Sequence, residues 1–167
     1  GRYFLVAANA RDRIAVVDSQ GTHWPRIFTA GHDFYMQPCW SPDGERFAWI
    51  AWDHPQMPWD GTLLCVGSVT EDSEGLPRLA EVRVLAGGPE ISIFQPQFAG
   101  PDRLVYVSDE TGWGRIALHD LKTGERRWLN AEGTEHAKPA WLQGMRTLAA
   151  VDGNTLVAAA SRNAFDR

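Results

Sequence analysis

A short motif recurs three times in this chain, and the recurrence constrains the fold more than any other feature. Gln37-Pro38-Cys39-Trp40, Gln95-Pro96-Gln97-Phe98 and Lys138-Pro139-Ala140-Trp141 each precede a turn and then an apolar segment. Those segments are Arg46 to Trp52, Arg103 to Ser108 and Arg146 to Val151, and the three prolines stand 58 and 43 residues apart. A period of this size marks a unit that cannot bury its apolar face alone and must stack on copies of itself. Apolar or alternating runs of roughly 5 to 8 residues, set between Gly, Pro and Asp turns, build the unit from strands rather than helices. A repeat of about 40 to 50 residues made of four strands is a propeller blade; the first interval is a blade with longer loops.

The best-defined copy has strand a at Gln95 to Phe98, b at Arg103 to Ser108, c at Arg115 to Asp120 and d at Glu125 to Leu129. The copy before it has a at Pro38 to Trp40, b at Phe47 to Trp52, c at Thr62 to Val69 and d at Glu81 to Leu85. Its a–b turn, Ser41-Pro42-Asp43-Gly44, presets φ at the proline and absorbs the chain reversal at the glycine. Tyr3 to Ala8, Arg13 to Asp18 and Pro25 to Thr29 read as strands b, c and d of a blade without strand a. The last copy reads as a, b and then c at Thr155 to Ala160, without d. The expectation is an all-β chain: a partial β-propeller of roughly three four-stranded antiparallel blades, cut mid-blade at both ends. It forms one unit over 1–167, with blade pieces at about 1–35, 36–92, 93–136 and 137–167. Propellers close on themselves to remove free edges, so such a chain is expected to be a portion of a longer polypeptide.

Composition narrows the function classes. The net charge of −5, with both signs interspersed, argues against nucleic acid as a partner, because phosphate binding needs a basic stripe. No apolar run approaches the roughly 20 residues that span a bilayer, so no membrane role is expected. Cys39 and Cys65 fall on non-adjacent strands of one blade and are expected to be buried free thiols. Free thiols favour a reducing compartment, which points to a cytoplasmic location. His23, His32, His54, His119 and His136 show no metal-ligand spacing, and no glycine-rich phosphate cradle is present. No metal and no cofactor are expected.

In a blade the b–c and d–a loops share one face, and here those loops are long and chemically varied. The b–c loops are Asp53 to Gly61 and Asp109 to Gly114. The d–a loops run from Thr29 to Gln37, Ala86 to Gln95 and Asn130 to Lys138. Function concentrates on elaborated loops held by a rigid scaffold. The residues singled out on this face are Asp53, His54, Trp59, Asp60, Glu90, Phe94, Glu110, Trp113, Glu135 and His136. For each, a packing or turn-capping role stands beside the functional one: Trp59 and Trp113 against a neighbouring blade, Asp53 and Asp60 as caps, Glu90 as an exposed loop carboxylate.

The stretch from Gln37 to Leu64, with W-D-H-P-Q-M-P-W-D-G at its centre, resembles the propeller domain of the prolyl oligopeptidase family of serine peptidases. The bacterial dipeptidyl aminopeptidase and acylaminoacyl-peptidase-like branch is the most similar. Ser92 to Pro96 (S-I-F-Q-P) and Val107 to Gly114 (V-S-D-E-T-G-W-G) fit the same branch. The resemblance implies a C-terminal α/β-hydrolase domain of the same polypeptide that carries a Ser-Asp-His triad on a G-x-S-x-G elbow. No serine of this chain lies between glycines in that pattern, so no catalytic residue is expected here and the hydrolase domain is expected outside the chain. The implied role is a non-catalytic, substrate-gating propeller of a peptidase that cleaves short peptides or aminoacyl amides near the N-terminus. The resemblance also implies an acidic side chain for the substrate ammonium; Glu90 is the first choice, with Glu110 and Glu135 behind it. Ile91 follows Glu90, so a paired-carboxylate anchor is not expected. The other reading is a TolB-like or WD-repeat-like propeller that binds proteins and catalyses nothing.

Overall fold

The computed structural model describes residues 3–6, 12–162 and 165–166. The described residues form strands and no helix, arranged as successive antiparallel sheets. The first sheet is β1 (Tyr3–Val6), β2 (Ile14–Asp18) and β3 (Arg26–Thr29), in that order. The second is β4 (Phe34–Trp40), β5 (Arg46–Trp52), β6 (Leu63–Glu71) and β7 (Pro77–Gly87). The third is β8 (Ile93–Phe98), β9 (Arg103–Ser108), β10 (Arg115–Asp120) and β11 (Arg126–Trp128). Two hairpins follow: β12 (Leu148–Ala150) with β13 (Leu156–Ala158), and β14 (Ser161–Arg162) with β15 (Phe165–Asp166). The a-to-d blade order therefore holds in the second and third sheets, and the first has b, c and d. The expected continuation of the first strand to Ala8 lies outside the described residues.

The second sheet packs on both faces, and the period-2 alternation of β5 shows how. Phe47, Trp49 and Ala51 point into a cluster with Ile14, Val16 and Phe28 of the first sheet. Ala48, Ile50 and Trp52 point the other way, into a cluster with Ile93, Phe94 and Val105 of the third. A strand covered on both sides must be apolar at every position, which is why β5 reads as a continuous run. Phe28 meets the Phe47 ring edge-on at 5.1 Å, a favoured aromatic geometry. Polar ties add to the packing between the second and third sheets. Arg46 donates to the Pro101 carbonyl at 3.1 Å and pairs with Asp102 at 2.6 Å, and Lys122 meets the same carboxylate at 2.6 Å.

The repeated Gln-Pro motif proves to be a bulge and a latch. Gln37 and Gln95 take φ values of 49° and 50°, in the left-handed region that residues other than glycine seldom enter, and the strand register shifts at both. The bulge frees each side chain to reach the next copy. Gln37 Oε1 accepts the Gln95 backbone N–H at 2.6 Å. Gln95 Oε1 in turn accepts the N–H groups of Thr147 and Leu148 at 2.5 and 3.1 Å.

Two expectations are corrected. The second sheet starts earlier and ends later than expected: Phe34 to Gln37 belong to β4 rather than to a loop, and β7 extends to eleven residues. In the last copy, Lys138 to Trp141 form no strand, and the expected b and c strands shorten to β12 and β13. Lys138 replaces the glutamine of the other copies, and an ammonium has no oxygen with which to accept a backbone N–H. The chain instead runs along β4: Gln143 Nε2 donates to the Tyr35 carbonyl at 3.0 Å, and Gln37 Nε2 donates to the Met145 carbonyl at 3.3 Å.

Cys39 on β4 and Cys65 on β6 are free thiols with β5 between them. Burial pushes Cys39 up to about 12 and Cys65 up to about 11, so both stay protonated across the neutral range.

Because the second sheet is the shared wall of two clusters, Phe47→Ala should cost about 3–5 kcal/mol in urea unfolding. Val84→Ala, on the exposed part of β7, should change stability by no more than about 0.5 kcal/mol. Equal losses in the two variants would contradict the packing described.

Candidate functional site

The b–c and d–a loops meet in pairs, and each pair is clasped by a carboxylate that accepts backbone N–H groups. Asp53, the first residue after β5, accepts the Asp33 N–H at 2.8 Å through Oδ1 and a hydrogen bond from His32 Nδ1 at 2.9 Å through Oδ2. Asp33 Oδ2 reciprocates by accepting the His54 N–H at 3.1 Å. The His32 hydrogen bond, ahead of the others, holds Asp53 below the usual carboxylate range.

Asp109, the first residue after β9, repeats the device one blade on. Its Oδ1 accepts the Ser92 N–H at 2.7 Å, and its own N–H donates to the Ser92 carbonyl at 3.3 Å. Asp33 and Ser92 are the residues just before strand a of their blades. The same carboxylate thus fixes where strand a begins in both. Burial, more than any other influence, pushes Asp109 above the usual carboxylate range.

Glu135 makes the third clasp. Its two carboxylate oxygens accept the N–H groups of Gly114 at 3.0 Å and Ala137 at 2.7 Å, while the His136 N–H donates to the Gly114 carbonyl at 2.9 Å. A side chain at Gly114 would overlap the Glu135 carboxylate and lie 2.6 Å from the Ala137 Cβ, so only glycine allows this approach.

The other singled-out residues divide by exposure. Asp60 caps the turn before it by accepting the Met57 N–H at 3.0 Å. Phe94 is a core residue, 2% exposed. Glu110 forms a two-pronged ion pair with Arg126, at 2.9 and 2.5 Å. His136 is buried; its Nδ1 donates to the Ala159 carbonyl at 2.8 Å, and its Nε2 has no partner among the described residues. Trp59 packs on Trp141 at 4.3 Å between ring centroids, against the irregular segment of the last copy rather than a blade strand. His54, Glu90 and Trp113 are exposed, and the Glu90 carboxylate has no partner among the described residues.

This face is therefore a stiff frame of saturated carboxylates carrying a few outward-pointing groups. Among the described residues no group of three metal-ligating side chains comes together. Asp109 and Trp141 were not singled out from the sequence. Aligning the b–c loops of the two copies on their first residue shows the Asp53 and Asp109 pair. Nothing local in the sequence brings Trp141 to Trp59.

Comparison with known proteins gives structural neighbours. A puromycin hydrolase matches with a TM-score of 0.80 and 35% identity, over 90% of this chain and 23% of that one. A Mycobacterium tuberculosis puromycin-hydrolyzing peptidase matches with a TM-score of 0.83 and 28% identity, over 96% of this chain and 26% of that one. The chain thus spans about a quarter of the length of these neighbours. No family model and no curated protein matches it.

Gly114→Ala should break the Glu135 clasp and cost about 1–3 kcal/mol in urea unfolding. Gly112→Ala, where nothing lies within 4 Å of the added carbon, should cost only the left-handed backbone strain, about 1 kcal/mol. A loss at Gly114 no larger than at Gly112 would count against the clasp.

Asp109 gives a test by pH. Its folded-state value lies above the unfolded 3.8, so the folded chain holds the proton more tightly. That contribution to stability is full below 3.8 and is lost as pH rises through the folded value. Asp109→Asn should remove this falling limb from the stability–pH curve; an unchanged limb would assign it to other groups.

Proposed function

Starting from a chain that belongs to the propeller portion of the prolyl oligopeptidase family of peptidases, we propose that it is the non-catalytic, substrate-gating part of a serine peptidase. The single unit over 1–167 docks through its b–c/d–a face on an α/β-hydrolase domain of the same polypeptide. The substrates are short peptides or aminoacyl amides, cleaved near the N-terminus through an acyl-enzyme. The observation that carries this reading is the contrast on one face. Asp53, Asp109 and Glu135 use their oxygens on backbone N–H groups, whereas Glu90 and Trp113 project outward from the frame those bonds make rigid. A preorganised rim of this kind admits a short flexible chain and excludes a folded one, and an exposed carboxylate suits a substrate ammonium. The likeness to two puromycin-hydrolysing enzymes supports the same reading.

A fluorophosphonate probe applied to the complete polypeptide should label one serine, located after Arg167. The 167-residue chain alone should take no label and release no nitroaniline from an aminoacyl-nitroanilide. A complete polypeptide that takes no label would overturn the peptidase reading. A labelled or active 167-residue chain would overturn the non-catalytic role.

A further inference from the structure

We propose that residues 137–146 are a strap across the axial opening of the blades on the b–c/d–a face, latched by the side-chain amide of Gln143. Its role as a filter for substrates rests on the gating reading; its placement rests on hydrogen bonds within the chain.

The strap follows from where the last blade begins. β12 and β13, cut from the stretches expected as b and c, stand in the places of strands a and b. The Leu148 N–H meets Gln95 Oε1 at 3.1 Å, as the Gln95 N–H meets Gln37 Oε1 at 2.6 Å. The Val151 N–H donates to the Thr155 carbonyl at 2.9 Å, the bond that closes the a–b turns from Ser41 to Arg46 and from Ala99 to Arg103. Arg103 reaches Asn154 at 3.5 Å, just as Arg46 one blade earlier reaches Asp102. Glu135 and Ser161 exchange backbone hydrogen bonds at 3.0 and 2.8 Å, in the place where Asp109 meets Ser92 one blade earlier. The path of the last blade therefore runs to His136 and resumes at Thr147. Residues 137–146, with the third copy of the motif at Lys138 to Trp141, are an excursion from it.

The excursion leads to the axis. β4 packs against β8 and β8 against β12, so the a strands converge. Strands that converge in this way surround the central channel of a propeller. β4 stands at the end of its sheet, so its edge away from β5 faces that channel. Gln143 occupies this edge. Its Nε2 donates to the Tyr35 carbonyl at 3.0 Å, and its Oε1 accepts the Gln37 N–H at 3.4 Å. A carbonyl and the N–H two residues on point to the same side of a strand, so one amide here does what a partner strand would do. Gln37 Nε2 donates to the Met145 carbonyl at 3.3 Å and holds the returning chain. Trp141 rests on Trp59 of the Asp53–Gly61 loop, 4.3 Å between ring centroids. Tyr35 and Gln37 lie toward the loop-face end of β4, so the strap passes β8 and crosses from the last blade to the second at that mouth of the channel.

The latch is lightly held. Gln143 and Gly144 are exposed, and Trp141 and Leu142 are 68% and 72% exposed. Single hydrogen bonds of this kind shift an equilibrium by factors of about 2 to 10, so the strap can lift while the blades stay packed.

Hydrogen exchange on the complete polypeptide, read by mass spectrometry, tests the latch without any turnover. Gln143→Ala should speed exchange about tenfold in the segments 34–40 and 137–146 and leave β10 unchanged. Gln143→Glu should do the same, because a carboxylate cannot donate to the Tyr35 carbonyl. Unchanged exchange in 34–40 in the alanine variant, or full protection in the glutamate variant, would overturn the proposal. The filter is read from kcat/KM for an aminoacyl-nitroanilide and for a peptide of about ten residues with the same first residue. Gln143→Ala should raise the peptide-to-nitroanilide ratio about threefold or more; an unchanged ratio would take the strap off the substrate's path and overturn its role as a filter. A polypeptide that shows the exchange pattern and cleaves neither compound keeps the strap and loses the peptidase.

Discussion

The interaction on which the rest of this structure depends is the two-sided burial of the second sheet. Its strand β5 sends Phe47, Trp49 and Ala51 to one neighbour and Ala48, Ile50 and Trp52 to the other. A sheet with one apolar face can stop at a two-layer packing. A sheet with two must have a neighbour on each side, and each neighbour passes the requirement on. The stacking of blades thus follows from the side-chain alternation of single strands. The long loops are brought together only because the blades are.

That stacking explains how a loop face becomes a stiff one. Loops at the ends of two blade strands would wander if they were held by their own turns alone. Here Asp53 and Asp109 leave the ends of β5 and β9 and accept the N–H that precedes strand a of the same blade. Glu135 draws the next d–a loop onto Gly114. The carboxylates first read as possible ligand contacts are thus largely the frame. The groups that point outward from it include Glu90 and Trp113.

Much of this was legible in the sequence, and the parts that were not share a cause. The a-to-d order of the second and third sheets could be read from Gln-Pro motifs, turn glycines and apolar runs, because those signals act within one blade. The latch formed by Gln37 and Gln95 was visible as a repeated letter but not as a bond, since the N–H donors that reach the two side-chain oxygens lie 58 and 53 residues away. The last copy departs from the pattern at the same letter, with Lys138 for glutamine, and Lys138 to Trp141 form no strand. Whether Trp59 would pack on a blade or elsewhere depended on a segment more than 80 residues later in the chain. Local periodicity carries no information about such contacts.

The central claim is that the b–c/d–a face, and not its opposite, meets the catalytic part of the polypeptide and its substrates. Site-specific photo-crosslinking tests it most directly, with a benzoylphenylalanine in place of Trp113 on this face and another in place of Thr70 on the far side of the blade. The account predicts that the probe at position 113 captures residues after Arg167 and that the probe at position 70 does not. Capture from position 70 with none from position 113 would contradict it.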